Sequence, residues 1–281
     1  MQTVLVDLSI GFAFIALALL IITAAKLIND FVTPYLIDLE LAKKDNVALA
    51  VSFSGYLLGV VIVFIGAYLG PSQGLVPDLL YVGGWSLFGV VLLNLSRIIN
   101  DRLILYKFRN VKEIIEDKNV GTGAVQAGSY IAAGFVVAGA INGQGGGILT
   151  ALAFFFAGQA VLVLFGLIYQ VCTRYDIHAE IEDDNVAAGV AFCGALIAIG
   201  LVLGHASAGE FISWSANFTI FATEAAIVVI LIPLVRLGFD KITFSKVDLN
   251  HEISVDRNVG AAILEASAMI AFASVLVHIF G

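Results

Sequence analysis

The chain has 281 residues, of which 60% are hydrophobic and only 13% charged, and its mean hydropathy is +1.01. Soluble domains carry about 25% charged residues, so this composition excludes a water-soluble globule of this size. The net charge of −8, with its charges in connections rather than in a basic patch, argues against a nucleic-acid partner.

In chain order, the apolar runs predict eight spans, at 8–28, 46–69, 79–99, 119–141, 148–171, 185–205, 211–235 and 258–280. The first run could pass for a secretory leader. It lacks a basic segment before it and is longer than a leader's apolar part, so it reads as a retained span. The next two runs flank "GPSQGLVPD". The stretch from Asn119 to Thr173 carries no charge and has room for two helices around the glycine-rich link "NGQGGG". That link lacks the Lys-Ser/Thr of a phosphate loop and reads as a joint between two units. Pro233 is a candidate kink in the seventh span. Cys172 and Cys193 have no pair spacing and read as packing residues. The histidines, His178, His205, His251 and His278, lack zinc-ligand spacing, so neither a metal nor a cofactor is expected.

All 14 Lys and Arg fall in four charged connections, and none in the termini or short loops. Positive residues mark the cytoplasmic side. The charged connections are therefore expected in the cytoplasm and both termini outside.

Asn46 and Asn185, and Asn119 and Asn258, share an offset of 139 positions. That offset also pairs Arg97 with Arg236, Asp101 with Asp240, Lys107 with Lys246 and Glu113 with Glu252. The expected fold is all-α and polytopic. It comprises two parallel four-helix repeats, at 1–141 and 142–281, each made of two helical hairpins. An even number of spans per repeat gives both halves the same orientation, unlike an inverted repeat. Every hairpin carries a glutamate (Glu40, Glu113, Glu180, Glu252), an aliphatic residue after it and, a few residues on, Asn-Val.

The pattern E-I-x-x-D-[KR]-N-V-G, present at Glu113 and at Glu252, resembles the bacterial family called domain of unknown function 350, as does the duplicated four-helix unit. The resemblance covers essentially the whole chain as two units. It implies a bacterial inner-membrane protein and no particular chemistry. Helix four departs from it, because Gln126 stands where the second half has Glu265.

Asn46, Asn119, Asn185 and Asn258 each precede an apolar helix and suit N-caps. The other reading makes them a ring around a pseudo-symmetric pore. Arg97–Asp101 and Arg236–Asp240 have i,i+4 spacing and are expected as helix-end ion pairs. The four glutamates before the caps are expected to be solvated or to form a docking surface. Glu224 and Glu265 are the acidic residues inside spans, with no local basic partner in the sequence. Intramembrane carboxylates are costly and mark functional sites. With Gln126, they are the candidate proton- or cation-binding residues, and a hairpin of spans seven and eight could bring the two glutamates together. The alternative is a protonated glutamate bonded to a neighbouring helix.

Two functions follow. One is a non-enzymatic proton or small-cation transporter using Glu224 and Glu265. The other is a membrane scaffold or envelope-stress component that binds a peripheral cytoplasmic protein through its charged loops. No nucleophile–base constellation points to an enzyme and no catalytic residue is expected. Small residues in "GTGAVQAG" and "AAGVAFCGA" permit close helix packing and a homo-oligomer in the lipid bilayer.

Overall fold

The computed structural model describes residues 2–143, 145–243 and 247–280, with side chains from residue 8 onward except at 243. Lys246 of the repeat register and Gln144 of the glycine-rich link lie outside them. The described residues are helical, without strands.

Eight long helices have the length and apolarity to cross a membrane, as the sequence predicts. They are α1 (Gln2–Val32), α3 (Val47–Tyr68), α4 (Leu75–Ile99), α6 (Val120–Ile141), α7 (Ile148–Cys172), α9 (Val186–Ser207), α10 (Trp214–Thr243) and α12 (Val259–Phe280). Two outrun their expected bounds at the charged end, α1 to Val32 and α10 to Thr243. Pro233 lies inside α10 without ending it.

The charged connections hold four short helices that periodicity in the spans did not reveal: α2 (Ile37–Lys44), α5 (Asn110–Ile115), α8 (Ile177–Glu182) and α11 (Leu249–Ser254). Helices this short do not persist alone. Each is pinned by buried aliphatics, Ile37, Ile114, Ile177 with Ile181, and Leu249 with Ile253.

A shared turn follows each short helix. One residue adopts the left-handed region, at Asp45 (φ 48°), Lys118 (55°), Asp184 (53°) and Arg257 (50°). The next residue is the repeated asparagine. Its N–H donates back to the carbonyl of Glu40, Glu113, Glu180 or Glu252, and its side chain caps the following long helix. One asparagine thus ends one helix and begins another, which is why a glutamate recurs five or six positions before it.

The hairpins lie side by side. Their second arms form an inner row in which α3 packs on α6, α6 on α9 and α9 on α12, while α1, α4, α7 and α10 cover that row. The apolar windows of α6 and α9 are 83% and 72% buried, against 44% for α3 and 22% for α12. The row therefore has two middle members and two ends. Small residues set the inner spacing. A side-chain carbon on Gly55 would overlap Ala127, and one on Gly194 would overlap Ala266, the same contact 139 positions later.

Candidate functional site

The polar centre of the second half lies toward the charged end, where α7, α10, α11 and α12 meet. Glu265 is 0% exposed and Arg236 1%. Arg236 Nε donates to Glu265 Oε1 at 2.6 Å, and the Tyr169 hydroxyl donates to the same oxygen at 3.0 Å. The guanidinium also lies over the Tyr169 ring, 5.8 Å from its centroid, and its Nη2 donates to Asn250 Oδ1 at 3.0 Å. Glu265 Oε2 is buried with no hydrogen-bond partner among the described residues. In low dielectric each charge is tolerable only because the other is present. Just outside the spans, burial together with the Glu265 charge raises the Tyr175 phenol above its ordinary value.

The first half builds the corresponding place without a buried charge pair. The Ser52 hydroxyl donates to Gln126 Oε1 at 2.8 Å, and Gln126 Nε2 donates to Asp101 Oδ1 at 2.9 Å. Asn110 Nδ2 donates to the same Asp101 oxygen at 2.7 Å. Arg97 is only half-buried, and its Nη2 reaches the Val32 carbonyl at 3.3 Å.

These contacts correct the expected helix-end pairs. Neither Arg97–Asp101 nor Arg236–Asp240 forms a direct ion pair among the described residues. Beyond α4 the chain widens into a π-type turn at Asn100–Ile104. Gln126 and Asn110 hold Asp101 at the start of this turn. In the second half, Glu265 draws Arg236 inward, while Asp240 accepts the Leu249 N–H at 3.0 Å and starts α11. One Arg-x-x-x-Asp pattern is thus used in two senses: a glutamine on the inner helix recruits the aspartate, and a glutamate recruits the arginine.

Glu224 and Glu265 do not form a joint site. Glu224 Oε2 lies 2.9 Å from His205 Nδ1. Along α10 it is about 18 Å from Arg236, at 1.5 Å per residue. Each carboxyl has its own basic partner, one contributed by α9 and one by α10. Sequence proximity concealed both.

Each of the four asparagines caps its long helix. Asn46, Asn119 and Asn185 are 1%, 1% and 0% exposed. Each also reaches the next hairpin. Asn46 Nδ2 donates to the Ile114 carbonyl at 2.8 Å, Asn119 to Ile181 at 2.6 Å and Asn185 to Ile253 at 2.8 Å. The glutamates expected in solvent are partly withdrawn from it. Glu40 and Glu113 are 5% and 6% exposed, and Glu113, Glu180 and Glu252 accept the amide of their own hairpin's asparagine.

Sequence reasoning missed Tyr169, Asn250, Ser52 and Asn110, which complete the two polar centres. The available signal was a polar residue at the charged end of a span, unremarkable alone. It also passed over His178, which is buried in α8 with Nε2 2.8 Å from the Ile104 carbonyl. Burial lowers the His178 pKa from its ordinary value.

A family model described as Domain of Unknown Function (DUF350) matches the chain twice, over residues 3–141 and 145–280. The two matches bear out the tandem duplication. A UPF0719 transmembrane protein of Aquifex aeolicus (strain VF5) is 25% identical over 250 residues, covering 87% of this chain and 90% of that relative. No solved structure matches.

Proposed function

This chain belongs to the DUF350 family, and we propose that it is a non-enzymatic, multi-pass membrane scaffold whose layer of charged turns holds a peripheral protein. The observation that carries this reading is the bracing of Asn46, Asn119 and Asn185 onto the carbonyls of neighbouring hairpins. Bonds of this kind fix successive hairpins against one another. A carrier or channel instead needs inner helices that part around a wet path. The Glu265–Arg236 contact, with both groups at or below 1% exposure, supports a sealed bundle in the same way.

The distribution of Lys and Arg supports a cytoplasmic position for the turns, in an inner membrane, with both termini periplasmic. Two measurements test the scaffold. Purified protein in proteoliposomes is expected to pass no protons, sodium or potassium above empty vesicles. A photo-crosslinker at Arg174, among the charged turns, is expected to capture one defined protein in cells, and one at Ser72, at the other end, to capture none. Ion flux that Glu265→Gln abolishes, or no capture at Arg174, would overturn the reading.

A second reading, proton or small-cation binding at Glu265, is favoured by the unpartnered Oε2. Its counterpart in the first half, Gln126, has both amide groups engaged.

A further inference from the structure

The three junctions between hairpins follow one rule. The asparagine of one hairpin donates its amide to the carbonyl of the residue after the glutamate in the next: Asn46 to Ile114, Asn119 to Ile181, Asn185 to Ile253. The left-handed residue of the later hairpin also touches the earlier one. Lys118 Nζ donates to the Lys44 carbonyl, Arg257 Nη1 donates to the Asp183 carbonyl, and Asp184 Oδ1 accepts the Val120 N–H at 3.0 Å.

The rule leaves two loose ends. Asn258 caps its helix and bonds Glu252. It is exposed, and its amide reaches no carbonyl of another hairpin among the described residues. At the other end, no described side-chain amide donates to the carbonyl of Leu41, the residue after Glu40. Asp45, the left-handed residue of the first hairpin, is exposed.

The repeat register shows how these ends correspond. Moved by one repeat, the central junction of α6 on α9 becomes α12 on α3. Asn119 to Ile181, the residue after Glu180, becomes Asn258 to Leu41, the residue after Glu40, since the first hairpin has one residue more between its glutamate and its asparagine. Val120 N–H to Asp184 becomes Val259 N–H to Asp45. Within the chain, Gly121 packs on Gly189 and Gly128 on Cys193. The corresponding pairs are Gly260 with Ala50 and Ser267 with Ser54, small residues of which Gly260, Ser267 and Ser54 are exposed and Ala50 is half-buried.

We propose that the hairpin row continues from copy to copy, with α12 of one molecule packing on α3 of the next, Asn258 donating to the Leu41 carbonyl and Asp45 accepting the Val259 N–H. The contact is head-to-tail, so copies close into a ring or extend as an open row, according to the rotation at each step. Association in lipid runs on close packing of small residues and on interhelical hydrogen bonds, and this face supplies both. At the outer end the match loosens. His278 and Ile65 stand where Gly139 and Gly204 meet inside the chain, so the contact is tightest near the charged turns.

The inference deepens the scaffold reading and rests on it for its purpose. Its test is separate. In a Cys172→Ala/Cys193→Ala background, Ser54→Cys and Ser267→Cys are placed in the full chain, singly and together, in native membranes and oxidised. The double variant is expected to give a ladder of dimers, trimers and higher species. Each single variant should remain monomeric, and mixing the two single variants should give dimers only. Asn258→Ala with Asp45→Ala in the double variant is expected to lower the ladder about tenfold. A dimer from Ser267→Cys alone would mean a symmetric contact, and no ladder in the double variant would mean no such junction. Either result overturns the proposal. Ion flux in proteoliposomes would sink the scaffold reading and leave the ladder untouched, so the two failures are distinguishable.

Discussion

Glu265→Gln isolates the charge of the buried pair from its shape. The amide oxygen can still accept from Arg236 Nε and from the Tyr169 hydroxyl, so the packing survives. What is lost is the counter-charge to a guanidinium that is 1% exposed and cannot shed its proton. Removing one partner of a buried pair costs about 3–5 kcal/mol. At the lower end of that range the change is roughly a hundredfold in the folded fraction, at 1.4 kcal/mol per tenfold. Unfolding in mixed micelles, followed through Trp85 and Trp214, reads this directly. Adding Arg236→Met should recover most of the loss, since replacing a whole buried pair by neutral groups is close to neutral. Glu224→Gln serves as the control. Its carboxyl pairs with a half-exposed His205 and not with a buried guanidinium, and the expected cost is smaller than that of Glu265→Gln. If Glu265→Gln costs less than 1 kcal/mol, or the double variant costs the sum of the singles, the pair does not hold the second half together.

Two further results are expected. Asn185→Ala should cost about 1–2 kcal/mol more than Asn258→Ala in detergent-solubilised monomer, because both lose a cap but only Asn185 strands a buried carbonyl, that of Ile253. Matched denaturation curves give the difference, and equal losses would refute the bracing. His178 has a folded-state pKa below its unfolded value near 6.5, because burial disfavours the cation. The unfolded chain therefore takes the proton first. The contribution is complete above about pH 7.5 and declines as pH falls through 6.5. The pH 8 to pH 6 drop in stability should shrink in His178→Gln, and an unchanged drop would refute the assignment.

Some of the site was legible before any coordinates. The offset of 139 positions marked Asn46, Asn119, Asn185 and Asn258 as equivalent, and capping chemistry accounted for them because a cap is local: its donors lie three residues on. Glu265 was conspicuous for the same kind of reason, since one carboxyl inside an apolar run needs a neutralising neighbour wherever the run goes. The identity of that neighbour was not local. Arg236 is 29 positions away and Tyr169 is 96, on separate helices. The i,i+4 spacing of Arg236 and Asp240 pointed to the wrong partner, because a solvated helix-end pair contributes little and a buried carboxylate attracts the guanidinium far more strongly.

The amino-acid sequence by itself determined the membrane class, the eight spans and the tandem duplication, because hydropathy and repetition are properties of a chain read in one dimension. It also determined where α3, α6, α9 and α12 begin, since Asn side chains and first-turn N–H groups meet within a few residues. The tertiary structure alone decided that the hairpins lie in a row with two middle and two end members. It decided as well that Gln126 pairs with Asp101 while Glu265 pairs with Arg236, and that Asn258 is left without the carbonyl its three equivalents find. Those outcomes depend on which helices approach closely enough to exclude lipid and solvent. That approach is set by small residues such as Gly55 and Gly194 meeting Ala127 and Ala266 across interfaces that no local pattern announces.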